Sequence, residues 1–402
     1  MNFSSTVSFN RLFLIVLILW PLLQISILNG FDGAGRIQMI LVLLGVAFNY
    51  KKILKLPIII HVVLLWAVYC TINTYIKGFE ITHIPFTNWA IRNLYLPYIT
   101  LCVTFIEYKR NPEKTIKLLM NIWTAFLMIG LMFVENSASY DVGERINNVM
   151  GNAFYNTSFG LILFLGLKLA FSKITIKQFY VIFAILFFII IASGGRKVFG
   201  AIIIAFVFIY IGYSAKNKEK VNYWRILLLA LIGVPLVNYI LDNSSVGERI
   251  YAMEETTKFE DNLFLTLMGD RGIQYFEGWE LFVDNVWTGI GLMKFTEVNT
   301  FFHGLPLHSE YMVQLAECGI VGSLMFLLFY LYLYKACAFL IRNHSNKIVA
   351  YTLFGILLAV TFINFSAWTY STPSYFVYYG IILAQYKLTT SYEKNIILCR
   401  KS

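Results

Sequence analysis

Long runs of apolar residues, separated by short polar connections, dominate this chain. A helix that crosses a bilayer needs roughly 20 mostly apolar residues, or a few fewer when charged ends reach the headgroups. The pattern predicts an all-α polytopic membrane protein with about twelve transmembrane helices, the second of them short. The apolar runs lie at residues 12–28, 37–50, 57–76, 94–106, 116–134, 154–171, 178–192, 198–213, 224–241, 311–334, 348–365 and 374–386.

One connection is much longer than the others and divides the chain. Residues 1–241 hold the first nine predicted helices, residues 242–310 form one large external loop, and residues 311–402 hold the last three helices and a cytoplasmic tail. Long loops in compact proteins are usually functional or disordered. Because this one is rich in aromatic residues and glycine, we expect it to contain short helices. No small-residue cleavage site follows the first apolar run, so we expect that run to be retained.

Residues 271–287 of the large loop have the spacing of an amphipathic helix. The apolar positions on the predicted helix are Ile273, Phe276, Phe282 and Val286. The acidic positions opposite them are Glu277, Glu280 and Asp284. Such a helix lies on the membrane, caps a cavity or packs within a small external subdomain, and the sequence leaves these three alternatives open.

Composition and charge place the chain in a membrane and orient it there. Hydrophobic residues make up 58% of the chain and charged residues 13%, whereas soluble domains contain roughly 25% charged residues. With the N-terminus inside, most Lys and Arg fall in cytoplasmic connections and most Asp and Glu fall outside, as the positive-inside rule requires. We therefore expect both termini in the cytoplasm.

Other function classes lose support from the same features. The net charge of +10 does not indicate a nucleic-acid partner, because the basic residues are spread over membrane-proximal loops. The five cysteines lie in apolar or cytoplasmic stretches, so no disulfide framework is expected. No ligand spacing typical of a metal site is present, and we expect neither metal nor cofactor.

External arginines are candidates for binding an anion. Arg196 follows two glycines in a tight turn between two apolar runs, and a charge so close to the hydrocarbon favours an anion site over simple snorkelling. Arg145 and Arg249 each lie in a Val-Gly-Glu-Arg-Ile pentapeptide in an external loop. The two copies are either paired anion ligands or a recurring turn-into-helix sequence, and the sequence leaves both interpretations open.

A titratable cluster stands at the exit of the large loop. His308 and Glu310 precede an apolar run, and Glu317 follows on the same predicted helix face. Histidine is suited to accept a proton near neutral pH, and a carboxylate at membrane depth is expensive unless it faces a cavity. A histidine near a helix start is often only a cap or a solvated residue, so the arginines decide between these interpretations.

Together these motifs resemble the O-antigen ligase/polymerase superfamily, which includes Wzy-type polysaccharide polymerases and WaaL-type ligases. Gly-Gly-Arg196 is similar to the arginine that the family carries at an external turn. The large-loop signature of the family is similar to Gly269-Asp270-Arg271, Trp279-Glu280-Leu281-Phe282 and Gly289-Ile290-Gly291. Its loop-to-helix histidine motif is similar to His308-Ser309-Glu310 with Glu317-x-Gly319-x-x-Gly322. The resemblance covers residues 151–326.

The resemblance implies a metal-independent glycosyltransferase in the bacterial inner (cytoplasmic) membrane, with an undecaprenyl-pyrophosphate-linked oligosaccharide as substrate. It implies His308 as catalytic base with Glu310 orienting it, and Glu317 at the substrate. Arginine binds phosphate bidentately; the expected pyrophosphate ligands are Arg196 and Arg271, supported by Arg249 or Arg145. The expected partners are the lipid bilayer and a chain-length regulator, with no nucleic acid.

Within this class we expect a polymerase that joins O-antigen or capsule repeat units at the outer face of the membrane. The first alternative is a ligase that moves the finished chain onto lipid A core. The second belongs to another class, a flippase or transporter of the lipid-linked oligosaccharide. A flippase should have two related halves and charged residues along a central path. This chain instead concentrates its external charge in one loop late in the sequence, which argues against transport.

Overall fold

The computed structural model describes residues 9–26, 34–78, 85–132, 134–137, 145–148, 152–192, 196–219, 270–299 and 306–401. Nearly all of these residues are helical. The first eight helices are α1 (Phe9–Ser26), α2 (Ala34–Ile53), α3 (Ile58–Ile76), α4 (Phe86–Arg110), α5 (Pro112–Met132), α6 (Asn152–Ala170), α7 (Ile176–Ala192) and α8 (Arg196–Lys216). The later helices are α9 (Asp270–Asp284), α10 (Phe295–Val298), α11 (Glu310–Met312), α12 (Gly319–Asn343), α13 (Lys347–Ile363) and α14 (Pro373–Lys401).

A short antiparallel hairpin is the departure from the expected all-α fold within these residues. Strand β1 (Val134–Ser137) pairs with β2 (Arg145–Asn148), and Ser137 lies opposite Arg145. The pairing occupies part of the connection between α5 and α6. The predicted fold class is therefore correct as an all-helical membrane protein, with this two-stranded addition.

Eleven of the twelve predicted apolar runs fall on described helices, and the ninth, residues 224–241, lies outside the described residues. Among the described helices, α3, α4 and α12 are long and apolar enough to cross a membrane, judged by length and composition. The number of spans and the three-part division of the chain stay predictions.

Several predicted helices have different bounds in the structure; the last run, 374–386, lies on α14, which continues to Lys401. Helix α4 is longer than the run 94–106 and contains the π-helical turn Ile91–Tyr95 just before Pro97, a residue that has no N–H to donate to a regular helical turn. The run 311–334 was expected to be one helix. It is instead α11, a second π-helical turn (Val313–Glu317) and α12, because the backbone takes a left-handed conformation at Gly319.

Helices α8 and α13 pack antiparallel through their glycines. A Cβ at Gly200 would lie 2.6 Å from the ring of Phe362, and one at Gly355 would lie 2.7 Å from the Cβ of Phe208. Small residues allow helices in a membrane to approach this closely. The N-terminus of α8 therefore lies at the same end of the bundle as the C-terminus of α13.

The loop after α9 meets the start of α12 backbone to backbone, and we call this contact, between residues 286–295 and 316–321, the backbone crossing. Gly289 has a φ of +65° and Gly319 a φ of +63°. A Cβ at Gly289 would lie 2.5 Å from the carbonyl carbon of Glu317, and one at Gly319 would lie 2.5 Å from the amide nitrogen of Gly289. Each position thus requires glycine for two reasons: its backbone is left-handed, and the other chain segment leaves no room for a Cβ.

Backbone hydrogen bonds close the crossing. The N–H of Gly291 donates to the carbonyl oxygen of Glu317 at 2.9 Å. The N–H of Ile320 donates to the carbonyl oxygen of Val286 at 2.7 Å. Burying these amides without partners would cost about 1–3 kcal/mol each. The crossing therefore fixes the end of the large loop on the start of the membrane-length helix α12.

Replacing Gly289 with alanine tests the crossing. A side chain in the left-handed region costs about 1–2 kcal/mol, and overpacking adds roughly 1–3 kcal/mol. We expect Gly289→Ala to lower the thermal unfolding midpoint of the purified protein in nanodiscs by many degrees and to reduce its yield.

Gly278→Ala is the matched control. This glycine lies inside α9, and its added Cβ would lie 3.1 Å from the flexible tip of Met312. Alanine also favours a helix interior over glycine by about 1 kcal/mol. Equal unfolding midpoints for the two variants would contradict the crossing.

Candidate active site

The loop that carries His308 is held on both sides by buried neighbours. The N–H of His308 donates to the side-chain oxygen of Gln274 in α9 at 3.3 Å. Leu307 and Ser309 are buried, and the Ser309 hydroxyl caps α11 by accepting from the N–H of Met312. His308 itself is half-buried. The histidine thus sits at the boundary between the packed interior and the surroundings, with its backbone fixed.

Glu310 is fully buried, and hydrogen bonds occupy both oxygens of its carboxylate. Oε1 accepts from the side-chain amide of Gln314 at 2.8 Å, and Oε2 accepts from the backbone N–H groups of Thr369 at 2.5 Å and Tyr370 at 3.0 Å. Burial raises the pKa of the Glu310 carboxyl, while these donors oppose the rise. The carboxylate is therefore directed toward the connection between α13 and α14.

Asn364, which follows α13, joins the same network and was not a candidate from the sequence. Its carbonyl oxygen accepts from the N–H of Glu310 at 2.9 Å, and its side-chain amide donates to the hydroxyl of Tyr330 at 2.8 Å. The hydroxyl of Thr369 donates to its side-chain oxygen at 2.9 Å. Asn364 falls inside the predicted apolar run 348–365, and the polar stretch 366–373 that follows was the signal that could have drawn attention to this region.

Glu317 is also buried, but its partners differ from those of Glu310. Its Oε2 accepts from the N–H of Met293 at 3.0 Å, and its Oε1 accepts from the N–H of Phe295 at 3.3 Å. These donors belong to the loop that takes part in the backbone crossing. The two carboxylates, expected on one helix face, hold two different chain segments.

The arginines can be located by backbone position alone. Arg196 is the first residue of α8, Arg271 the second residue of α9, and Arg145 the first residue of β2; Arg249 lies outside the described residues. The contact of these side chains with a substrate stays a prediction.

The backbone brings two of these positions to the end of the bundle that carries His308. Arg271 precedes Gln274 by three residues, so the two positions share a helix face, and Gln274 binds the N–H of His308. Arg196 precedes Gly200 by one turn, and Gly200 packs on Phe362, next to the end of α13 where Asn364 binds the N–H of Glu310.

A small apolar cavity of about 20 Å³ adjoins the Glu310 network. It lies between α3, α12 and α14 and reaches the α13–α14 connection. Thr369 and Tyr370, whose amides bind Glu310, line one side of it. The remaining lining residues are Val63, Trp66, Met325, Phe326, Phe329, Tyr330, Phe376 and Tyr379.

Comparison with known protein families gives a match to part of the chain. A family model described as O-antigen ligase matches residues 181–327, a segment that contains Arg196, Arg271, His308 and Glu317. No curated protein matches the chain. The family implies a glycosyltransferase-like enzyme, and together with the membrane-length helices it indicates a bacterial membrane protein. Residues 181–327 are therefore similar to an O-antigen ligase domain, which supports the resemblance to the O-antigen ligase/polymerase superfamily.

Proposed function

We propose that this protein is a polysaccharide repeat-unit polymerase of the inner membrane. It transfers a growing glycan from undecaprenyl pyrophosphate to a sugar hydroxyl of the next lipid-linked unit, at the outer face. The observation that supports this most is the bond between Gln274 and the N–H of His308. It joins the loop that carries the proposed base to the helix that carries Arg271.

The proposed reaction is a displacement at the anomeric carbon of the donor sugar. The acceptor hydroxyl oxygen forms the new bond as the bond from the anomeric carbon to the pyrophosphate oxygen breaks. The hydroxyl proton passes to His308, and undecaprenyl pyrophosphate leaves with the bonding electron pair. His308 is thereby the general base.

Arginines stabilise the leaving group in this proposal. Negative charge grows on the pyrophosphate as the bond breaks, and fixed positive charges aimed at that position lower the barrier. Arg196 and Arg271 take this role because both open helices at the end of the bundle that holds His308. Arg249 or Arg145 assists.

The two glutamates act through position in this proposal. Glu310 binds the α13–α14 connection through its carboxylate and Asn364 through its N–H, so it fixes the chain two residues after His308. Glu317 has both oxygens occupied by backbone N–H groups. We therefore assign it to holding the large loop rather than to contact with the sugar or pyrophosphate.

A ligase is the second candidate, because the matching family model is described as O-antigen ligase. The donor and the chemistry at the anomeric carbon are the same in both reactions. Only the acceptor differs, since a ligase delivers the chain to lipid A core. The residues proposed for the base and for pyrophosphate binding serve either reaction.

His308→Ala is the most direct test of the proposed base. Removing a general base typically slows a reaction about 10²–10⁴-fold, so chain growth from purified lipid-linked repeat units should fall by that range, with protein level unchanged. His61→Ala, in α3, is the matched control because the mechanism does not use His61. Normal chain length in His308→Ala would remove His308 from the mechanism.

Arg196→Lys and Arg271→Lys test bidentate binding of pyrophosphate. Lysine keeps the charge and loses the planar pair of donors, so we expect transfer to slow about 10- to 100-fold, corresponding to roughly 1.4–2.8 kcal/mol. Arg342→Lys, near the end of α12, is the control and should retain full activity. Full activity in both Arg196→Lys and Arg271→Lys would contradict this role.

A surface-polysaccharide gel from a deletion strain separates the candidate functions. We expect a single repeat unit attached to core, because chains cannot lengthen without a polymerase. Long chains that are not attached to core would identify a ligase. Lipid-linked units that accumulate facing the cytoplasm would identify a flippase.

A further inference from the structure

Helix α9 exposes a narrow apolar stripe that the proposed reaction does not use. Phe276, Trp279 and Val283 are 47%, 52% and 54% exposed, and Trp287, in the turn after the helix, is 72% exposed. Spacings of three and four residues place the first three on one helix face. Four large apolar side chains in a row are expensive to leave in water, at about 25 cal/mol per Å².

The opposite face of α9 is the one that packs on the protein. Gln274 and Gly278 are buried there, and Leu281 packs in the cluster formed with α3 and the start of α12. The helix is therefore apolar on an outward face while its inner face is already occupied. The sequence pattern placed Phe276 on the apolar side of this helix, and the structure shows that this residue faces away from the packed core.

The contacts of the stripe's C-terminal end place it close to the end of the membrane-length helix α3. The carbonyl oxygen of Thr288, next to Trp287, accepts from the side-chain amide of Asn73 at 2.7 Å, and the N–H of Leu292 donates to Thr74 at 3.0 Å. Asn73 lies three residues before the end of α3, which is about 4.5 Å at 1.5 Å per residue. Interfacial helices bury their apolar faces roughly 5–10 Å into the boundary between headgroups and acyl chains.

The surface of α3 at the same level is also apolar and exposed. Ile72, Tyr75 and Ile76 are 55%, 71% and 73% exposed near the end of this membrane-length helix. Tryptophan and tyrosine are enriched at this depth in membrane proteins. Exposed apolar side chains therefore occur on α3 at the same level as the C-terminal end of the stripe.

We propose that α9 is an interfacial helix whose stripe inserts into the bilayer surface at the end of α3. Phe276, Trp279, Val283 and Trp287 occupy the boundary between headgroups and acyl chains. Glu280 and Asp284 are exposed on the flank of the helix and point to water. With acidic rather than basic flanking residues, the binding is apolar and persists at high salt.

Site-specific fluorescence tests this placement in the full chain in liposomes. Trp279→Cys and Val283→Cys report on the stripe, and Glu280→Cys and Asp284→Cys, each one residue away, are the matched controls. All four variants are made in a protein that carries Cys399→Ser, because the other four cysteines are buried. The same protein without an introduced cysteine is treated with the label to measure and subtract any labelling of the buried cysteines. Each variant is labelled with a nitrobenzoxadiazole maleimide and quenched either by doxyl-labelled lipid or by iodide.

We expect labels at 279 and 283 to emit at shorter wavelength and to be quenched about twofold or more by doxyl lipid relative to iodide, with the reverse at 280 and 284. This pattern should be unchanged at high salt. Iodide quenching of all four labels to the same extent would place the stripe in water and overturn the proposal. Labels at 279 and 283 that neither quencher reaches would show a protein cover instead, and would also overturn it.

The fluorescence readout requires no transfer activity. Its failure leaves the proposed polymerase unaffected, and loss of the polymerase leaves the interfacial helix unaffected.

Discussion

The buried carboxylate of Glu317 accepts hydrogen bonds from two backbone N–H groups where the loop after α9 enters α10, and the whole loop-to-helix region depends on this contact. A buried carboxylate without partners costs several kcal/mol, and so does a buried N–H group left without an acceptor. Met293 and Phe295 supply the donors. Gly289 and Gly319 allow the two backbones to approach closely enough for these bonds to form.

The position of His308 follows from this contact through a short chain of neighbours. The loop held by Glu317 is the continuation of α9, so fixing that loop also fixes the end of α9. Gln274 of α9 then accepts from the N–H of His308. On the other side, Glu310 ties the chain after His308 to Asn364 and Thr369. The histidine is thus positioned by interactions on two sides, each of which involves a buried glutamate.

Local patterns in the sequence were enough to predict the helices but not their partners. The apolar runs and the amphipathic segment near Arg271 depend on neighbours within one or two turns. The bond between Glu310 and Thr369 joins residues 59 positions apart, and nothing local indicates it. Periodicity also showed that α9 has an apolar side without showing what covers it, so the exposure of Trp279 was not predictable. The binding of a substrate by the arginine side chains stays a prediction.

The buried glutamates also bear on how a pyrophosphate could bind here. An uncompensated glutamate about 4 Å from a pyrophosphate would repel it by roughly 4 kcal/mol at an effective dielectric constant of about 20. That repulsion is enough to offset the attraction from one well-placed arginine. Glu310 is instead turned toward amide donors, so its carboxylate is compensated within the protein. Glu317 is likewise turned toward backbone N–H groups. In the proposed enzyme, the packing that fixes His308 therefore also keeps acidic side chains from competing with Arg196 and Arg271 for the substrate.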